Sequence, residues 1–494
     1  MTTTSPLESP RATDTQRVDV LIVGAGLSGI GAAHHLQTKL PGKSYAVLES
    51  RGAIGGTWDL FRYPGIRSDS DMYTLGYNFR PWTGEKSIAD GASIREYIED
   101  TAREGGIDRH IRFHHKVVSA AWSTESSKWT VTALRSDTGE SAVFEASFLM
   151  CCSGYYDYDK GFTPDFEGIE DFGGTVVHPQ KWPEDLDYAG KKVVVIGSGA
   201  TAITLAPNLA REAEHVTLLQ RSPSYIMSLP SKDSIALALR KYLPARAAYS
   251  VTRIKNAVTA IGMYVLCQRY PKFMKKQIRT LQKGWLPDGY DLDTHFTPKY
   301  NPWDQRLCLV PDNDLFRSIR KGEVNLVTDH IDRFTASGIA LKSGEHLDAD
   351  VVVTATGLNL VAFGNVAITV DGRVVDLTET MAYKGMMLTD VPNFAFVVGY
   401  TNASWTLKAD LVCDYVVRLI EHMDKKGHSE VRLARDASVG EEPFLDFAAG
   451  YVLRSVDTFP KQGSVAPWRL RMNYFRDLPA LRFGKLVDEN MSLR

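Results

Sequence analysis

Cysteine is scarce in this chain of 494 residues. The five present (Cys151, Cys152, Cys267, Cys308 and Cys413) have spacings that suit no zinc site. Neither a bound metal nor a disulfide framework is therefore expected, and free thiols in a reducing compartment are. An excess of either charge is also missing. The formal net charge is -2, which argues against nucleic acid as a partner. No run of eighteen or more apolar residues occurs, so no segment is expected to span a bilayer. Residues 1–16 are rich in Thr, Ser and Pro and lack an apolar core; they read as a disordered tail, not a targeting signal or an anchor. These absences leave an ordinary globular composition, 44% hydrophobic and 23% charged, and imply a cytoplasmic protein. The length exceeds what one core supports, so two or three domains are expected.

What the chain does have is glycine at two special places. Val18–Val23 is an apolar, β-branched run interrupted only by Asp19, the pattern of a buried parallel strand. Gly24, Gly26 and Gly29 follow at G-x-G-x-x-G spacing, and residues 30–40 read as a helix. Glycines so placed permit the tight turn, let backbone approach a pyrophosphate, and pack the helix against the strand. The helix N-terminus then faces the pyrophosphate with its positive dipole end. A second strand, Ala46–Leu48, ends in Glu49. A carboxylate there accepts hydrogen bonds from a ribose diol and repels a 2′-phosphate, which selects FAD or NAD over NADP. The next loop, GGTWDLFRYPGIRSDSD from Gly55 to Asp71, is dense in glycine, aromatics and charge. It can wrap a large planar ring system, which favours FAD.

The second turn lies downstream. Lys191–Ile196 reads as a buried strand, followed by Gly197-Ser198-Gly199-Ala200-Thr201-Ala202. Alanine in the third position still allows close helix–strand packing. After the next strand, 216–219, the expected acid is replaced by Gln220-Arg221-Ser222. A guanidinium there pairs with a 2′-phosphate through charge-assisted bonds worth about 1.5–3 kcal/mol each, enough to prefer NADPH over NADH. Two sites of opposite ribose preference imply hydride transfer from NADPH to FAD. Strands ending in Ser153-Gly154 and in Thr354–Gly357 bracket the second unit as crossings between nucleotide domains.

Between the two turns stands a longer pattern, F-x-G-x-x-x-H-x-x-x-W, filled by Phe172, Gly174, His178 and Trp182. From this chain's own composition it should arise by chance roughly 0.0007 times, against roughly 0.25 for a bare glycine turn. The long pattern therefore carries most of the weight, and it narrows the chain to oxygen-inserting flavoenzymes.

On these residues the chain resembles the type I Baeyer–Villiger monooxygenases, and within them the ethionamide-activating subgroup. The likeness extends to the runs HPQKWPEDLDY, NPWDQRLCLVP and GYTNASWTLKAD. It implies FAD and NADPH as cofactors, O2 as co-substrate, and a flavin C4a-peroxide that converts ketones to esters or lactones and oxidises sulfides and thioamides. Carried over, the family's catalytic arginine matches Arg306 and its orienting acid Asp69. A fixed cation can stabilise anionic oxygen without surrendering a proton. His178 matches a linker residue, not a proton carrier. FAD contacts map onto Ser28, onto Gly56, Thr57, Trp58, Asp59 and Leu60, and onto the strand at Val117. Nicotinamide contacts map onto Arg67, Ser68 and Asp69, and the second turn adds Ile203 and Ser222. One departure is Gln305, where many members carry a lysine near the 2′-phosphate; the preference for NADPH then rests more heavily on Arg221.

The expected fold is α/β, two Rossmann-like dinucleotide-binding domains with a helical insert. The FAD domain takes residues 17–154 and 381–494, the NADPH domain 155–230 and 321–380, and the insert 231–320. Residues 231–283 hold twelve Lys and Arg but one acid, Asp233. Val251, Ile254, Val258, Ile261 and Val265 repeat at helical spacing. The expected role is a helical cover packed on the NADPH domain over the substrate channel; the alternative is a basic amphipathic surface held by anionic lipid. Three other functions compete with ketone oxidation: oxygenation mainly at sulfur or nitrogen, disulfide reduction, and a flavin-binding scaffold. Disulfide reduction needs a spaced dithiol beside the flavin, and Cys151 and Cys152 are adjacent.

Overall fold

The computed structural model describes residues 15–305, 307–445 and 449–494. Nearly all of the expected tail, and Arg306, lie outside the described residues. Among those described, the backbone builds two principal sheets. The larger has nine strands around Gln16–Val23, which pairs in parallel with Tyr45–Leu48 on one side and Ser141–Cys151 on the other. Antiparallel His115–Ser123 and Lys128–Arg135 extend it, and Phe394–Phe396 adds in parallel to Ser141–Cys151. Helices Leu27–Lys39 and Trp405–Lys426 pack together on one face. The second half of the central strand is buried on both sides at Val20, Leu21 and Ile22, which is why its sequence there is continuously apolar rather than alternating.

The second sheet is wholly parallel, in the order Val324–Thr328, His215–Gln220, Lys192–Ile196, Val351–Thr354, Thr175–Val177. Its first crossover helix, Ala200–Leu209, buries Ala202, Ile203, Leu205 and Ala206 against it. Two chain segments cross between the sheets, and Tyr156–Gly161 pairs antiparallel with Leu358–Leu360 there.

Two stretches fall differently from the expected boundaries. Ala367–Val370 already pairs with His115–Ser123 of the larger sheet, ahead of residue 381; it covers what would otherwise be an open strand edge. Cys308–Pro311 and Asp314–Arg320, expected within the insert, belong with the second sheet. The former pairs with Ile226–Leu229, and the latter buries Leu315, Phe316 and Ile319 beside Ala202 and Ile203.

The insert proper is four helices: Ser234–Tyr242, Ala245–Arg269, Pro271–Trp285 and Leu292–Phe296. The long one buries an unexpected face. Of the five apolar residues at helical spacing, only Ile261 is buried; Val251, Ile254, Val258 and Val265 are exposed. The face turned inward carries Ala248, Tyr249, Thr252, Arg253 and Ala257. Its orientation is set by polar bonds to the body of the larger sheet. The Arg253 guanidinium, 6% exposed, donates to the carbonyls of Tyr73 (2.8 Å), Thr74 (3.2 Å) and Gly76 (2.6 Å), and to Asp410 (3.2 Å). Tyr249 donates to the Tyr77 carbonyl, and Asn256 to Asp71. A buried cation with four acceptors outweighs a modest gain in aliphatic burial, because leaving any of them unpaired costs about 1–3 kcal/mol.

Arg253→Ala should therefore loosen the insert locally. Losing about 3 kcal/mol of anchoring corresponds to trypsin cutting within residues 231–300 roughly 100-fold faster. Cleavage at the wild-type rate would show that the guanidinium does not hold it.

Candidate active site

Both glycine turns open into one cavity of about 1670 Å³, larger than the pocket of a single small ligand. At the first turn, Gly24 adopts φ +99°, and a Cβ there would fall 2.8 Å from the Cys152 carbonyl oxygen. Gly29 is tighter still: its Cβ would lie 1.8 Å from the Gly24 carbonyl oxygen. At the second turn Gly197 has φ +140°, and a Cβ on it would sit 2.4 Å from the Ala355 carbonyl oxygen. These three glycines are needed for the fold itself. Gly199 differs, because a Cβ there would meet nothing within 4 Å. Its missing side chain leaves room on the cavity side only.

The helices that start at these turns are prepared for an anion. Leu27–Lys39 begins at Gly26 and Ala200–Leu209 at Gly199. Neither has a capping side chain, and neither carries an acid in its first turn. Their first-turn residues line the cavity and their N–H groups have no capping side chain, so a pyrophosphate there would satisfy them. Arg67 gives a further sign. One of its nitrogens lies 3.3 Å from the Asp314 carboxylate, while Nη2 is buried with no hydrogen-bond partner. On these observations the residues present fit a dinucleotide at each turn.

Glu49 closes the first site. It is 4% exposed, and its carboxylate accepts N–H bonds from Ala25 (2.7 Å) and Arg51 (2.9 Å). Burial pushes its carboxyl above the usual range, against those bonds; hydroxyl donors from a ribose would relieve that cost. Arg221 and Ser222 stand exposed on the cavity rim after the second sheet's strand His215–Gln220, with Gln305 and Lys299 in the same wall.

Of the residues expected from the sequence, Gly24, Gly26, Ser28, Glu49, Gly56, Thr57, Trp58, Arg67, Ser68, Asp69 and Val117 line the cavity from the larger-sheet side. Gly197, Ser198, Gly199, Ala200, Thr201, Arg221 and Ser222 line it from the other. Gly29, Asp59, Leu60, Ala202 and Ile203 stand behind the wall. Asp59 is buried among Arg51 (2.7 Å), Arg95 (3.5 Å) and Arg62, a charge cluster that fastens the wrapping loop. The cavity side is left to its neighbours Thr57 and Trp58. Arg306 lies outside the described residues, although Gln305 beside it lines the cavity.

Several participants gave no local signal. Trp405, from the start of Trp405–Lys426, lines the cavity and donates its indole N–H to the Ser28 hydroxyl (2.8 Å). Tyr63 hydrogen-bonds Thr201, bridging the wrapping loop to the second helix. Tyr158 shares a 3.3 Å bond with Thr57. The family-like run contains Trp405 and the wrapping loop contains Tyr63, but no spacing announced the partner of any of them.

His178 of the long pattern lies at the crossing segments. Its Nδ1 accepts the Gln180 N–H (3.2 Å), so Nε2 is the donor to the Gly357 carbonyl (3.1 Å). Burial lowers its pKa, keeping the ring neutral. It ties one crossing strand to the other and lies outside the cavity wall. The five cysteines are buried and none forms a disulfide, and burial pushes the Cys151 and Cys152 thiols up. Cys152 and Cys308 line the cavity from different core clusters, whereas disulfide reduction would require a dithiol beside the flavin.

The fold and the cavity define a class, the α/β proteins with two dinucleotide turns facing each other across one cleft. A family model of NAD(P)-binding Rossmann-like domains matches residues 22–82, and one described as flavin-binding monooxygenase-like matches residues 87–390. The FAD-containing monooxygenase EthA of Mycobacterium tuberculosis is 58% identical over 479 residues, covering 97% of this chain and 98% of its own. EthA of Mycolicibacterium smegmatis is 54% identical, covering 97% of each. The chain belongs to the flavin-binding monooxygenase-like family. Among solved structures, an oxidised steroid monooxygenase bound to NADP superposes with a TM-score of 0.77 at 23% identity, over 97% of this chain and 99% of that one. A closed cyclohexanone monooxygenase gives 0.75 at 21%, with the same coverage. At such identities these two share the fold.

Gly199→Val should keep the wild-type circular dichroism and thermal midpoint, because its Cβ has space. It should weaken nicotinamide dinucleotide binding about tenfold or more by occupying the phosphate's place. Loss of folding, or unchanged binding by titration calorimetry, would contradict the assignment.

Proposed function

We propose that this chain is an FAD-containing, NADPH- and O2-dependent monooxygenase of the Baeyer–Villiger type. It inserts one oxygen atom into small-molecule ketones to give esters or lactones, and also oxidises sulfides and thioamides. The observation that carries the reading is the single cavity into which two uncapped, acid-free helix N-termini open, one beside Glu49 and the other beside Arg221. A ribose diol suits the carboxylate, and a 2′-phosphate suits the guanidinium. Membership of a flavin monooxygenase family, and relatives named as FAD-containing monooxygenases at 54–58% identity, support the same reading.

FAD bound at the first turn and reduced by NADPH supplies the activated oxygen. The chain's own groups bind, orient and neutralise. The N-termini of Leu27–Lys39 and Ala200–Leu209 hold the two pyrophosphates, and Trp405 fixes the Ser28 hydroxyl at the first. Arg221 and Ser222 read the 2′-phosphate. Arg67, Ser68 and Asp69, on one loop of the cavity wall, serve the nicotinamide. By the family resemblance Asp69 and Arg306 take the roles of the orienting acid and the catalytic arginine, whose fixed positive charge would stabilise the carbonyl oxygen as it gains negative charge. Arginine suits that task because it supplies charge without transferring a proton.

The decisive variant is Arg306→Ala. It should still allow anaerobic NADPH to bleach the flavin, while ester formation from 2-octanone falls by about 10²-fold or more. A wild-type ester yield would remove Arg306 from the reaction. Wild-type protein that oxidises a methyl sulfide but never the ketone would replace the reading with S-oxygenation.

A further inference from the structure

The four exposed aliphatic residues of Ala245–Arg269 need a partner. Val251, Ile254, Val258 and Val265 are 47%, 60%, 52% and 50% exposed, and their spacing puts them on one side of the helix. The opposite side is fixed inward by Arg253 and by Ala257, which packs against Tyr400 and Leu407. The neighbouring helices add to the exposure with Ile235, Tyr242, Tyr270, Phe273 and Leu281. In all, eleven of the nineteen exposed large apolar side chains among the described residues fall within 229–281. Monomeric soluble proteins scatter such residues; concentrating them marks a contact surface.

Charge distinguishes the possible occupants. The stretch 231–283 carries twelve Lys and Arg against one acid, in a chain whose net charge is -2. That acid, Asp233, is already paired with Lys255. Arg253 is consumed internally, Arg240 bonds the carbonyls of Trp82, Thr83 and Gly84, and Lys232 pairs with Glu85. Lys241, Arg246, Arg269, Lys272, Lys276 and Lys283 remain exposed on the same helices and their termini as the exposed apolar side chains. A second copy of this chain would bring the same positive field against itself. An anionic surface with an apolar interior matches both features. No helix among the described residues is long and apolar enough to cross a membrane, so the contact is with its face.

We propose that the insert docks the protein on anionic lipid bilayers through the exposed side of Ala245–Arg269, with the surrounding lysines and arginines in the headgroup layer. Tyr400, against which the inner side of this helix packs, also lines the cavity. Docking therefore sets the cavity one helix diameter, about 10 Å, from lipid. Lipid-dissolved substrates would thus be delivered close to it.

The test is sedimentation of the FAD-loaded full chain with phosphatidylglycerol-containing vesicles and with purely zwitterionic ones. Wild type should pellet with the anionic vesicles at low salt, and about tenfold less at roughly 0.5 M salt or with zwitterionic lipid. The Ile254→Glu/Val258→Glu variant should lose about tenfold in vesicle binding while keeping flavin content and NADPH oxidation in solution. Lys272→Glu/Lys276→Glu should lose binding to a similar degree. Absence of binding at low salt, or unaltered binding of both variants, would overturn the proposal. So would light scattering that shows a dimer in wild type, dispersed by Ile254→Glu/Val258→Glu, without vesicle association; a second copy would then cover this side.

Discussion

The molecule depends on one electrostatic constraint: two helix N-termini, each begun by glycine and deprived of both cap and acid, open into the same cavity. A Ser, Asp or Thr at either N-cap would stabilise the helix by about 1 kcal/mol. Glycine stands there instead, at Gly26 and Gly199. Local stability is forgone so that backbone N–H groups stay available to phosphate. Glu49 and Arg221 then set what each phosphate belongs to, one by accepting from a diol and the other by pairing with a dianion.

Around that constraint the two sheets are tied together. They are joined by the crossing strands Tyr156–Gly161 and Leu358–Leu360, by the neutral His178 that bonds Gly357, by the Tyr63–Thr201 contact and the Arg67–Asp314 pair, and by Leu60, Phe61 and Tyr63 packed into the second unit's core. The insert adds a further tie. Although it leaves the chain within the second unit, Arg253 binds it to the carbonyls of residues 73, 74 and 76 in the first. The insert's long helix is thus held by residues of the first unit.

The glycine turns were legible because their requirements are local. The Gly24 and Gly197 backbones need positive φ, and Gly29 leaves no room for a methyl group; each demand is written in consecutive residues. The strands leading into them were legible for the same reason, as apolar, β-branched runs. Trp405, Tyr63 and the Arg67–Asp314 pair were not, since each acts through a partner more than a hundred residues away. Asp59 matched a contact position, yet its carboxylate is taken up by three arginines that no spacing announced. The insert's long helix misled most plainly. Periodicity marked the Val251–Val265 side as core, while the polar bonds of Arg253 turned it outward; hydrophobic pattern alone does not see a buried cation.

For a monooxygenase of this kind, oxygen must end in the product rather than be lost from the cofactor. The direct measurement is turnover of a ketone under isotopically labelled dioxygen, with NADPH consumption and hydrogen peroxide followed together. One labelled oxygen atom per ester, matched to NADPH consumed with little peroxide, is the predicted result. Unlabelled product, or peroxide equal to all the NADPH oxidised, would contradict it.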